Sequence, residues 1–222
     1  MRGGCFLVLS VYLAHAATAF AVITPIELIG PTAEIPRDSY RSWALFLVCT
    51  PDWVTPDKSK ELADLYRRFR VLGVAIGDDN LAVWFWKRKA TLGDAKLSEN
   101  VDVRRNAGYC RALSLRPSEG PFLVVTTAYP ELKAFPKDRA VFALGALPPA
   151  ELAKLLNKVT DGLLIDGKVE NDGAAVTPDA RSSGFWLHLL ESARLSIIGL
   201  GCAVKMQVSA GVFSAEVRGC AG

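Results

Sequence analysis

The hydrophobic positions of this chain follow two periods that alternate along its length. Residues 43–48 are an unbroken apolar run, bounded by Ser42 and by Cys49-Thr50-Pro51. Such a run predicts a strand buried on both faces. Residues 51–56 form a proline-bounded loop. Leu62, Leu65, Tyr66 and Phe69 then recur at helical spacing and predict a helix over residues 57–70, opened by Pro56 and Asp57. Residues 71–76 are apolar again and read as a second strand, ended by Gly77-Asp78-Asp79-Asn80. Strand, helix and strand in this order predict a right-handed parallel unit.

The alternation continues. An extended segment interrupted by Pro25 is expected over residues 22–30, and another over residues 81–86. The polar stretch 91–100 reads as a loop. Residues 101–115 read as a second helix with Val103, Ala107 and Cys110 on one face, weakened by Gly108. Strands are predicted over 122–127 and 140–147. Pro148-Pro149 opens a last helix, where a proline costs no hydrogen bond, and Leu152, Leu155, Leu156, Val159 and Leu163 give it an apolar face.

Residues 167–183 are a polar linker rich in Gly, Pro and Asp. Beyond it, Trp186, Leu190, Ala193 and Ile197 form the stripe of an amphipathic helix over 185–200. Residues 202–208 and 212–218 read as a β-hairpin turning at Ala210-Gly211. The chain thus divides into a body at 36–166, the linker, and a tail at 184–222. The tail is too short to bury a core alone, because chains below about 40 residues need a staple or a partner. Cys202 and Cys220 flank the hairpin and are expected to bond. A three-residue loop sets them opposite each other, and a two-residue loop offsets them by one position.

The N-terminus changes the picture of where this body works. Arg2 precedes an uncharged apolar run over residues 5–14, and small residues offer Ala-x-Ala cleavage points ending at Ala16, Ala19 and Ala21. This pattern predicts a signal peptide over residues 1–21 and export to the periplasm or beyond. An uncleaved membrane anchor over 5–23 is the alternative. Removal of the segment leaves Cys49, Cys110, Cys202 and Cys220, enough for two disulfides in an oxidising compartment.

Composition removes several function classes. The net charge is only +3, and Lys87-Arg88-Lys89 and Arg67-Arg68 lack interleaved aromatics. They read as solvated faces, with no nucleic-acid partner implied. His188 is the one histidine left after export, which argues against histidine-based triads and metal sites. No glycine-rich phosphate loop is present, and no cofactor or metal is expected. Asp78-Asp79 reads either as an acidic pair at a strand's carboxyl end or as a turn with Asn80. Trp84, Phe85 and Trp86 form a dense aromatic run. Alternation sets the two tryptophans on one face, either as core or as a groove for an extended partner.

The order of elements over residues 41–165 resembles the thioredoxin-like fold. Trp43-Ala44-Leu45-Phe46-Leu47-Val48 is similar to the central strand that leads into that fold's active-site loop. Gly120-Pro121 before Phe122-Leu123-Val124-Val125 resembles its proline, often cis, and Pro148-Pro149 with Leu152 and Leu155 resembles the start of its closing helix. Pro51 and Thr55 also resemble the peroxiredoxin Pro-x-x-x-Thr-x-x-Cys pattern, with Lys58 at the cysteine position, and Leu72-Gly73-Val74-Ala75-Ile76-Gly77-Asp78-Asp79 is like the strand that follows in that family. The resemblance implies an α/β thioredoxin-like mixed sheet flanked by helices, with the C-terminal helix and hairpin added. It does not carry the reaction. That chemistry needs a thiolate at a helix N-terminus and a resolving thiol, and this loop has neither. The expected function is a non-catalytic module binding another protein, with Asp52, Trp53, Trp84, Trp86 and Pro121 as candidate contacts. A thiol-dependent redox enzyme or sensor using Cys49 or Cys110 is one alternative, and a membrane-tethered subunit of an envelope assembly is the other.

Overall fold

The computed structural model describes residues 26–37, 40–87, 97–137, 139–145, 147–165, 203–209 and 212–218. The expected signal peptide at residues 1–21, the linker, the 185–200 stripe, Cys202 and Cys220 lie outside the described residues. The protein is α/β, built on one mixed sheet. Its strands are β1 (Glu27–Ile29), β2 (Ser42–Leu47), β3 (Asn80–Phe85), β4 (Phe122–Thr126), β5 (Arg139–Ala143), β6 (Ala203–Ser209) and β7 (Val212–Arg218), in the spatial order β1-β3-β2-β4-β5-β7-β6. β1, β3 and β2 are parallel, β4 is antiparallel to β2 and to β5, and β7 is parallel to β5. The helices are α1 (Ser59–Ala75), α2 (Leu97–Asn100), α3 (Val103–Ala112) and α4 (Pro149–Ile165).

Every residue of β2 is buried, as its unbroken apolar run requires of a central strand. Ala44 and Phe46 enter one core, beneath α1 and α4. Trp43, Leu45 and Leu47 enter the other, beneath α3 and beside Ile29 and Ile35. The hairpin is also present. Its register, closing at Ser209↔Val212, leaves Ala210-Gly211 as the two-residue connection.

Two sequence expectations are corrected. Residues 71–76 are not a strand. α1 runs on to Ala75, because Leu72 and Ile76 extend the stripe of Leu62, Leu65 and Phe69 at three- and four-residue steps. Val71 and Val74 face outward, 64% and 60% exposed. The helix stops at Gly77, whose φ of +74° only glycine adopts without strain. The strand that closes the parallel unit is β3. The expected helix over 101–115 is shorter, Val103–Ala112, and the expected loop before it contains a helical turn. α2 is a single turn inside the expected loop, and α3 begins after Asp102, whose carboxylate accepts from Arg105 N at 3.0 Å as an N-cap. The buried face of α3 holds Asn106, Tyr109 and Cys110, while Val103 and Ala107 are only partly covered.

Candidate functional site

The loop after β2 is rooted by two successive residues. Val48 N donates to Asn106 Oδ1 at 3.0 Å. Cys49 forms a disulfide with Cys110, with Cα atoms 5.8 Å apart. Asn106 and Cys110 are one turn apart on α3, so a single helix face holds both positions. The other end of the Asn106 amide donates to Asp102 O at 2.7 Å, which fixes its orientation. Both cysteines are buried, at 7% and 3% exposure. Neither is therefore the isolated thiol that a Cys49- or Cys110-based enzyme starts from.

Beyond Cys49 the loop turns outward. Thr50 Oγ1 donates to Asp52 Oδ2 at 2.9 Å, and Thr55 Oγ1 donates to Asp52 O at 2.9 Å. These bonds hold a 3₁₀ turn at Pro51–Val54. Asp52 is exposed and Trp53 is half-buried. Lys58 precedes α1, with Nζ 2.7 Å from Glu61 and 5.2 Å from the centre of the Trp53 ring. Trp53 reaches across to the strand connections. A methyl group placed on Gly145 would lie 3.1 Å from Trp53 Cζ2 and would collide with the Gly120 carbonyl. The Gly120–Pro121 peptide is cis, and Pro121 O accepts from Leu144 N at 2.7 Å. The turn thus brings Asp52, Trp53 and Pro121 to one end of the sheet, with Pro121 itself buried.

Trp84 and Trp86 are not part of this surface, which corrects their assignment as binding residues. They share a face, as alternation requires, but it belongs to the core beneath α1 and α4, and they are 1% and 5% exposed. Phe46 stacks on Trp84 at 4.5 Å between ring centres, and Tyr66 meets it edge-on at 4.7 Å. Asp78 and Asp79 are exposed in the turn after α1. Sequence reasoning passed over Asn106, whose signal was a polar residue on the buried side of a helix. It also passed over the arginine that ties the N-terminal segment down. Arg105 Nη1 donates to Gly30 O and, at 2.7 Å, to Ala33 O, and its guanidinium lies 4.6 Å over the Phe85 ring.

Burial sets the electrostatics of Tyr109 in the core and of the partly buried Tyr66. Desolvation raises the Tyr109 phenol above its ordinary pKa, against the opposing Arg105 charge, and raises Tyr66 in the same way against Arg70. Among the described residues, no three His, Cys, Asp or Glu side chains gather as a metal site needs, and no helix is long and apolar enough to cross a membrane. What the arrangement offers is a half-buried indole and a carboxylate on a braced turn, which suits recognition. Comparison with known protein families, with curated proteins and with solved structures finds no match.

Proposed function

We propose that this chain is a thioredoxin-like module that binds another protein outside the cytosol and does not run thiol chemistry. The strand order β1-β3-β2-β4-β5, the cis proline before β4 and α4 after β5 support the thioredoxin-like reading. One observation carries the function. Lys58 is the residue that leads into α1, where a reactive thiolate would gain from the helix dipole, Thr55 lies in the turn before it, and the nearby cysteine is bonded to Cys110 inside the core. A buried structural disulfide also favours an oxidising compartment, in keeping with the export pattern of residues 1–21. The surface left for a partner is the Asp52–Trp53 turn beside Pro121.

Insulin reduction and peroxide consumption by the purified chain test the chemistry. The rates are expected to equal those of the Cys49→Ser/Cys110→Ser variant. A cysteine-dependent rate would instead establish the thiol enzyme. A pull-down from the native envelope tests the binding, with a partner retained by the wild type and lost from Asp52→Ala/Trp53→Ala. An alkaline-phosphatase fusion at Pro36 is expected to be active, because that enzyme works only outside the cytoplasm, and an inactive fusion would refute export.

A further inference from the structure

The C-terminal hairpin has one apolar set of positions, and its register places them on a definite side of the sheet. The pairs Val204↔Val217, Met206↔Ala215 and Val208↔Phe213 are apolar, whereas Lys205↔Glu216 and Gln207↔Ser214 are polar. Positions in register share a face. β5 pairs Ala140 with Ala215 and Phe142 with Val217. Ala140 and Phe142 belong to the core beneath α1 and α4. The apolar face of the hairpin therefore continues the surface that those two helices cover. α1 and α4 stand side by side, lining a shared groove with Leu72, Ala75, Leu156 and Thr160. A helix is about 10 Å across and spans about two strands spaced about 4.8 Å apart. β7 and β6 extend the sheet beyond β5 by two further strands.

The path of the chain supplies the cover. α4 starts just past the carboxyl end of β5 and doubles back over the sheet, with Leu152, Leu155, Leu156, Val159 and Leu163 buried along its length. Its seventeen residues run about 25 Å at 1.5 Å each. β6 begins at Ala203, opposite Arg218 and one step past the Val217↔Phe142 pair, so it starts level with the carboxyl end of β5. The chain between Ile165 and Ala203 must climb that same height. Residues 185–200 as a helix would span about 24 Å, with Trp186, Leu190, Ala193 and Ile197 along one side. We propose that residues 185–200 form a helix antiparallel to α4 that lays this stripe on the apolar face of β6 and β7, completing the helical layer over the seven-stranded sheet.

Photocrosslinking and hydrogen exchange on the full chain test this. With benzoylphenylalanine in place of Met206, irradiation is expected to give an intrachain link to residues 185–200, at a yield independent of protein concentration. A link to a second copy, or to no residue of that stretch, overturns the proposal. In Leu190→Asp/Ile197→Asp the amides of β6 and β7 are expected to exchange about tenfold faster or more, with β2 and β4 unchanged. Glu191→Ser, off the stripe, is expected to leave all four strands as they are. Hairpin exchange that does not respond to the stripe variant also overturns it, and the crosslink remains decisive if that variant does not fold.

Discussion

The Cys49–Cys110 bridge should be the largest single covalent contribution to the stability of the body, and its size follows from where it sits. It closes a loop with a sequence separation of 61 residues. In the chain-entropy account, a loop of that size is worth about 4 kcal/mol at 25 °C, because the unfolded chain loses the conformations in which the ends are apart. Domains of this kind are stable by about 5–15 kcal/mol in total, so the loss would be a large fraction. At about 2–4 °C per kcal/mol for a chain of this size, the melting point should fall by about 8–16 °C. The measurement is guanidinium unfolding and calorimetry in a Cys202→Ser/Cys220→Ser background, so that only this bridge changes. Oxidised protein is compared with Cys49→Ala/Cys110→Ala. Coincident unfolding curves would refute both the bridge and the loop-closure reasoning. Because both cysteines are buried, at 7% and 3% exposure, mild reductant without denaturant should open the bridge only as fast as the body itself opens.

Three further outcomes are expected. Asn106→Ala leaves the Val48 amide without its acceptor in the core, at a cost of about 1–3 kcal/mol, read from urea midpoints. Gly145→Ala drives a methyl into the Gly120 carbonyl and against Trp53. It should destabilise by about 1–3 kcal/mol and shift the Trp53 fluorescence, and an unchanged midpoint and spectrum would contradict the packing described. Burial raises the Tyr109 phenol, so above about pH 10 the native state keeps a proton that the unfolded chain has released, and stability falls as pH rises there and is level below. Tyr109→Phe should flatten that alkaline fall while lowering the neutral-pH baseline by about 1 kcal/mol for the lost bond to Pro130 O.

What could be read in the sequence was what depends on local pattern. β2, α4 and the hairpin each carry one unambiguous period, and the structure has all three. The end of α1 is ambiguous in the sequence because residues 71–76 satisfy two patterns at once. They form a β-branched apolar run, and they also continue a stripe at helical spacing. The tie breaks on Leu72 and Ile76 reaching the core while Val71 and Val74 stay in solvent, which no count of apolar residues reveals. The tryptophan pair shows a related limit, since alternation groups Trp84 with Trp86 but does not say that both faces of the sheet are covered. The root of the candidate site was hidden for another reason. Cys49 pairs with a residue 61 positions away, and connectivity among several cysteines is not deducible from spacing.

The order of the cysteines has a consequence for how the protein matures. Cys49 and Cys110 are consecutive in the chain, with no other cysteine between them. A chain threaded out of the cytosol from its N-terminus would present Cys49 first and its native partner next, before Cys202 and Cys220 emerge. An oxidase that joins thiols in order of appearance would make this bond correctly at the first attempt. The central bridge would then need an oxidant during biogenesis, and no isomerase to correct it afterwards.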